Sequence, residues 1–363
     1  MTQESRLLEL VADARRACDF TPAEWLAVIR SAKNSKLLPR VALLANSQTW
    51  LDTLPVRVRE QLRGALPIAF HHQRTLRWEV NRILAALRDV ETTVVLLKGA
   101  AYEMAGLPAA RGRIASDVDI LVPREDLRMV ESALVRAGWA PLVLHPYDQR
   151  YYREWSHELP PLQHRRRRTV VDVHHNILPL TGRLHPDPAK LLAAARPIAD
   201  AAVHILSPAD MVLHTSAHLF QDGELAGAVR DLVDADALMR DFGAREPGFW
   251  EALVPRARDL GLTRPLFYAV RYVRGLLDTP VPAHVVAALD AAAPPRPVLV
   301  IMDALVHRSL LPVTGRDATV GEDTARVLLY ARSHWLRMPP GRLTSHLWHK
   351  AMRRWTRDDK SEV

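Results

Sequence analysis

The 363-residue chain has one cysteine, Cys18, which excludes an internal disulfide framework and any cysteine-based zinc site and fits a reducing compartment. Cys18 lies in a helical pattern, where a buried and inert thiol is expected. No stretch approaches the roughly 18 uninterrupted apolar residues that a membrane span needs. The opening "MTQESRLLELVADARRACDF" carries acids where a signal peptide would have a basic and then an apolar run, so a cytoplasmic location is the expectation. No Gly-x4-Gly-Lys-Ser/Thr occurs, which excludes a P-loop, and no Gly-x-Ser-x-Gly occurs to support a Ser-His-Asp hydrolase. The lack of a His-Asp doublet argues against a phosphohydrolase of the HD type. Internal repeats and low-complexity segments are missing. Lysine is scarce too: of 49 basic residues only six are lysine, so Lys98, set in a Lys-Gly pair, stands out against a background of arginine.

What is present suits an ordinary globular protein. A hydrophobic content of 48% can bury a full core, and the length divides into roughly two or three domains. The formal charge of +8 is scattered, apart from Arg165 to Arg168 and a C-terminal "HKAMRRWTR". Such a balance attracts phosphates in general without choosing between nucleic acid and nucleotide.

Periodicity changes along the chain. The first 60 residues read as short amphipathic helices, with Pro22 and Pro39 near their starts, and a longer helix is predicted at about 71 to 89. "TTVVLLKG" is a short β-branched apolar run, "SDVDILVP" a second strand closed by Pro123, and "REDLRMVESALVRAGW" a helix ending at Gly138. "APLVLHP", "YYREWSHELPPLQH" and "TVVDVHHNI" are three further strand candidates, the last two joined around the arginine run. After Pro179 the pattern is helical, and Ser207 with Asp210 three residues on forms a capping-box-like start. The fold class is α+β: a small mixed-sheet core flanked by N-terminal helices and a C-terminal helical region. The expected divisions are 1–70 (helical), 71–180 (the αβ core), 181–290 (helical) and 291–363 (a helical extension with a basic tail).

Residues two apart on a strand share a face, so Asp117 and Asp119 project together from "DVDILV". Two adjacent carboxylates repel unless a cation lies between them, and hard oxygen ligands suit Mg²⁺ or Mn²⁺. Phosphoryl and nucleotidyl transfer need such ions beside the attacking and leaving oxygens. Asp172 in "VVDVHH" is the candidate third carboxylate, because a lone acid in an apolar strand is otherwise costly to bury. Taken alone, Asp-x-Asp at a strand start is also common as a solvated strand end. Lys98-Gly99 follows an apolar strand, so its amides and its ammonium can face a triphosphate. Arg111, Arg113 and Ser116 precede the acids and could reach phosphate oxygens.

These motifs carry a resemblance. "VVLLKGAAYEMAG", "RGRIASDVDILVPREDLRMVESALVRAGW" and "VVDVHHNI" resemble the nucleotidyltransferases of the DNA polymerase β-type superfamily, in particular a bacterial group with a Leu-Lys-Gly turn, and the likeness covers roughly residues 75 to 280. The resemblance implies a polymerase β-like core, an NTP substrate and Mg²⁺ or Mn²⁺. It implies Asp117, Asp119 and Asp172 as the metal-binding and catalytic carboxylates, and Lys98 and Gly99 as the phosphate-facing turn. The chain departs from the pattern at Lys98-Gly99-Ala100, where Gly-Gly or Gly-Ser is usual, in the longer gap to Asp117, and at His175, where an aromatic is expected.

The expected activity is transfer of an NMP from an NTP to an acceptor, which the sequence leaves open among small molecule, peptide, protein and tRNA. The rival readings are a non-catalytic binding module on the same fold, and a toxin-type enzyme acting on tRNA or protein. His214, His218 and Asp222 share one face of a predicted helix; packing histidines that close the cleft are favoured over a second metal site. Arg165 to Arg168 are expected as a solvated charge run at a hairpin tip, and Trp348 and Trp355 in the basic tail as packing residues.

Overall fold

The computed structural model describes residues 5–337, apart from 49, 143–145, 200, 223, 224, 226, 227 and 311–319. The basic tail with Trp348 and Trp355 therefore lies outside the described residues, as do the side chains of Cys18 and Asp222. Four helices come first: α1 (Ser5–Ala12), α2 (Pro22–Asn34), α3 (Leu38–Ser47) and α4 (Val56–Ala86). Pro22 is the first residue of α2, where its missing N–H is no loss, and Thr21 with Glu24 closes a capping box around it. Helix α4 runs unbroken across position 70 and includes Pro67, so the helix expected from about 71 begins some four turns earlier.

The sheet follows: β1 (Val95–Leu96), α5 (Lys98–Met104), β2 (Asp117–Leu121), α6 (Leu127–Arg136), β3 (Trp139–Pro141), α7 (Pro146–Glu154), β4 (Leu162–His164) and β5 (Val170–His174). It is extended by β6 (Arg196–Pro197) and β7 (His204–Ile205), which follow the short helix α8 (Pro188–Ala193). The strand order is β3-β4-β5-β2-β1-β7-β6. β2 runs parallel to β5 and β1 parallel to β7, while the other pairs are antiparallel, so the sheet is mixed. Alternation sorts the two central strands. Val118, Ile120, Val171 and Val173 are buried on one face, each contributing about 1.5–3 kcal/mol by leaving water. Asp117, Asp119, Asp172 and His174 take the other face.

The remaining helices are α9 (Pro208–Ala217), α10 (Val229–Arg245), α11 (Phe249–Asp259), α12 (Thr263–Leu277), α13 (Ala283–Asp290), α14 (Arg296–Ser309) and α15 (Val320–Arg337). Helix α9 is almost wholly buried and packs against α10, α11 and α12. Its start is the one expected: the Ser207 hydroxyl accepts from the Asp210 amide and donates to the Asp210 carboxylate at 2.8 Å. Asp210 is fully buried and also receives Arg256 at 2.7 and 2.9 Å. The fold is α+β, a seven-stranded mixed sheet among helices.

Two local expectations are corrected. The aromatic run beginning at Tyr151 is not a strand: residues Pro146–Glu154 form α7, and extended structure resumes near Glu158. The arginine run does cap the β4–β5 hairpin, but Arg167 is not merely solvated. It donates to Glu79 of α4 at 2.8 and 2.9 Å and lies over the rings of Trp139 and Trp78. A buried carboxylate on α4 needs a partner, and the hairpin supplies one.

Candidate functional site

The parallel register of β2 and β5 sets Asp119 opposite Asp172, with Asp117 opposite Val170 on the same face. The two carboxylates experience different surroundings. Burial alone would raise the Asp119 carboxyl, but Lys98 and His174 outweigh it and hold Asp119 well below the usual range. Lys98 Nζ is 3.1 Å and His174 Nε2 3.0 Å from the same Asp119 oxygen. Burial, joined by the charges of Asp119 and Glu158, pushes Asp172 up to about 7. Its Oδ1 is buried and has no hydrogen-bond partner among the described residues. Asp117 is half-buried and the exposed Ser116 donates to it at 3.3 Å.

Lys98 is not a loop residue. It opens α5 directly after β1, with φ at 44°, a left-handed conformation that a residue with a Cβ adopts at a cost of about 1–2 kcal/mol. Burial would depress its ammonium, yet the Asp119 carboxylate more than compensates and raises it. Gly99 has a packing reason. A Cβ there would collide with the guanidinium of Arg113 and come within 3.1 Å of the Ala115 Cβ. Arg113 itself donates to Asp234 of α10 at 2.6 Å and stands 3.7 Å from Asp231, with only 7% of its side chain exposed. Asp234 also receives Arg40 from α3 at 2.8 Å. Between these arginines sits Gly112, at φ 67°, where a Cβ would lie 2.5 Å from the Arg40 backbone. A buried carboxylate thus binds three elements, and the loop leading into β2 is pinned to α10. Arg111 is exposed, and with Arg113, His72 and Glu103 it lines a cleft of about 450 Å³ beside Gly99.

Of the residues singled out in the sequence, Lys98, Asp117, Asp119 and Asp172 come together on the sheet face, whereas Arg113 faces Asp234. His214 of α9 and His218, in the π-helical turn that continues it, lie towards this face. Burial first and the Lys98 charge second depress His214; for His218 the Lys98 charge leads.

Sequence reasoning missed three partners. Glu158 bridges to His174 in the backbone, and His157 accepts from the His175 amide at 2.8 Å, so this segment is laid along the end of β5. His174 Nδ1 comes 3.3 Å from Glu158 Oε2. For His174, burial is outweighed by the Asp119 hydrogen bond and the Glu158 charge, and its imidazole is raised. The signal for His174 was available, since it lies two residues beyond Asp172 and shares its face. No local signal marked His157 and Glu158.

Fold and site together define the class: an α+β protein whose mixed sheet presents an acidic, lysine-flanked face. Residues 21–278 match the family model described as "Uncharacterised nucleotidyltransferase", and the chain belongs to that family. The match takes in the N-terminal helices from α2 onward, well ahead of position 75. No curated protein and no solved structure matches the chain. Among the described residues, no helix is long and apolar enough to cross a membrane.

Proposed function

We propose that the protein transfers an NMP from an NTP to an acceptor with release of pyrophosphate, and that Asp117, Asp119 and Asp172 hold Mg²⁺ or Mn²⁺. The observation that carries this reading is the direct pairing of Asp119 with Asp172 across neighbouring parallel strands. The donor set fits the ion: carboxylate oxygens are the hard ligands it prefers, and the unpartnered Asp172 Oδ1 is a buried acceptor in need of a cation or a proton. When bound, the ion supplies positive charge to the phosphates and orients the reacting oxygens.

The chain's own residues divide the remaining work. Lys98 keeps Asp119 ionised and offers an ammonium to the triphosphate at the start of α5. Asp172, ionised once a cation is bound, takes the proton from the acceptor group as it attacks the α-phosphorus in line. Ser116 steadies Asp117. Arg113 acts at one remove, holding the loop before β2 against α10, and Gly99 makes room for it. His214 and His218 close the face from the helical side. The acceptor, whether small molecule, peptide, protein or tRNA, would be chosen by those helices.

Isothermal titration of Mg-ATP and the other Mg-NTPs into wild type and the Asp117→Ala/Asp119→Ala double variant tests the site. Binding by wild type and its loss in the variant are expected; equal binding would sink the reading. Incubation with α-labelled NTPs and cell extract then asks whether label moves to an acceptor.

A further inference from the structure

Beside the carboxylate face lies a second cluster with different chemistry. One ligand atom from each of His157, Glu158 and His174 falls within 4.8 Å of the others. His157 and His174 are both buried, with 8% and 3% exposure; among the described residues His157 Nδ1 has no hydrogen-bond partner, and His174 Nδ1 faces the Glu158 carboxylate at 3.3 Å without forming a hydrogen bond to it. A buried imidazole nitrogen left without a partner beside a second that meets only a carboxylate costs free energy unless something meets it. The backbone explains why they stay there: Leu159 donates to the Val173 carbonyl and His175 to the His157 carbonyl, each at 2.8 Å, so the His157-Glu158 pair is fixed against β5.

We infer that His157, Glu158 and His174 form a binding site for a borderline divalent ion of the Zn²⁺ type, separate from the Mg²⁺ or Mn²⁺ expected at the aspartates. Two imidazoles and one carboxylate are the ligand set that such ions take with an open fourth position. In a tetrahedron with bonds of about 2.0–2.1 Å, neighbouring ligand atoms are about 3.3 Å apart; His174 Nδ1 and Glu158 Oε2 are separated by 3.3 Å. The second nitrogen of His174 is already committed, since Nε2 lies 3.0 Å from Asp119. A carboxylate on the far nitrogen fixes the tautomer and orientation of a metal-binding histidine and raises its basicity.

The test uses the full untagged chain, titrated with Co²⁺ in excess Mg²⁺. The expected result is the visible d–d absorption of a tetrahedral centre at one equivalent, bleached when Zn²⁺ displaces Co²⁺. His157→Ala and Glu158→Gln, each checked for folding by circular dichroism, should weaken Co²⁺ binding by at least about tenfold, while Asp117→Asn leaves the band in place. Absence of the band in wild type overturns the inference, as does a band that survives in both folded variants. A band lost in Asp117→Asn but kept in His157→Ala would put the ion on the aspartates and overturn it equally. Because the readout is absorption and not transfer, failure here leaves the nucleotidyltransfer reading to its own experiment.

Discussion

Asp119 and Asp172 stand side by side in register on parallel strands, yet one is held ionised by Lys98 and His174 while the other is pushed up to about 7. A folded-state pKa above the ordinary carboxyl value means that the native protein binds this proton more tightly than the unfolded chain. The stability it contributes is full below about pH 4 and is lost as pH rises through neutrality. Asp172→Asn should therefore melt close to wild type at about pH 4 and higher than wild type at about pH 8, by about 2 °C or more. Thermal melts at the two values check this; a difference independent of pH would contradict it.

The same proton should leave when a cation arrives. Binding of Mg-NTP at about pH 6 is expected to release a proton that is no longer released at about pH 9. Calorimetry in buffers of different ionisation enthalpy reads the number directly, and Asp172→Asn should abolish the difference.

Lys98 combines charge with an unfavourable backbone angle, and two substitutions separate them. Lys98→Gly and Lys98→Ala should both lose Mg-NTP affinity by at least about tenfold, the size of one charge-assisted contact. Glycine tolerates φ 44° and alanine does not. Lys98→Gly is thus expected to be more stable than Lys98→Ala by about 1 kcal/mol in denaturant melts, reversing the usual order for a helix.

Gly99→Ala places a methyl against the Arg113 guanidinium. The ion pair with Asp234 must shift, so a loss of about 1–3 kcal/mol is expected from overpacking. Asp234→Ala should be worse, about 3–5 kcal/mol, because it strands two buried arginines, Arg40 and Arg113, without their carboxylate. Urea denaturation measures both, and a smaller effect for Asp234→Ala than for Gly99→Ala would refute the pinning role.

How legible was this in the sequence? Where the signal is local, it was readable. The period-two patterns of "DVDILV" and "VVDVHH" gave β2 and β5 and the shared face of their acids. The Ser207–Asp210 cap and the prolines at the starts of α2 and α3 were readable for the same reason. The two-residue strands β6 and β7 were not, because two residues carry no period, and α7 was misread because its tyrosines favour strands when context is ignored. Most of what surrounds the acids is long-range. Asp234 lies 121 positions from Arg113 and 194 from Arg40, and no spacing rule connects them. Glu158 is near Asp172 in sequence, but only the backbone bridge to His174 turns it towards the site. Arg113 looked like a phosphate ligand because its buried partner was invisible.

The pairing of β2 with β5 has one more consequence. Side chains alternate along a strand, so a slip of β5 by a single residue would swing Asp172 and His174 into the apolar layer and set Val171 and Val173 against Asp119 and Lys98. The cost of burying an acid among apolar side chains, and of losing the His174–Asp119 hydrogen bond, forbids that slip. The acids thus act as the phase reference of the sheet, and a chain that has paired these strands correctly has already assembled its reactive face.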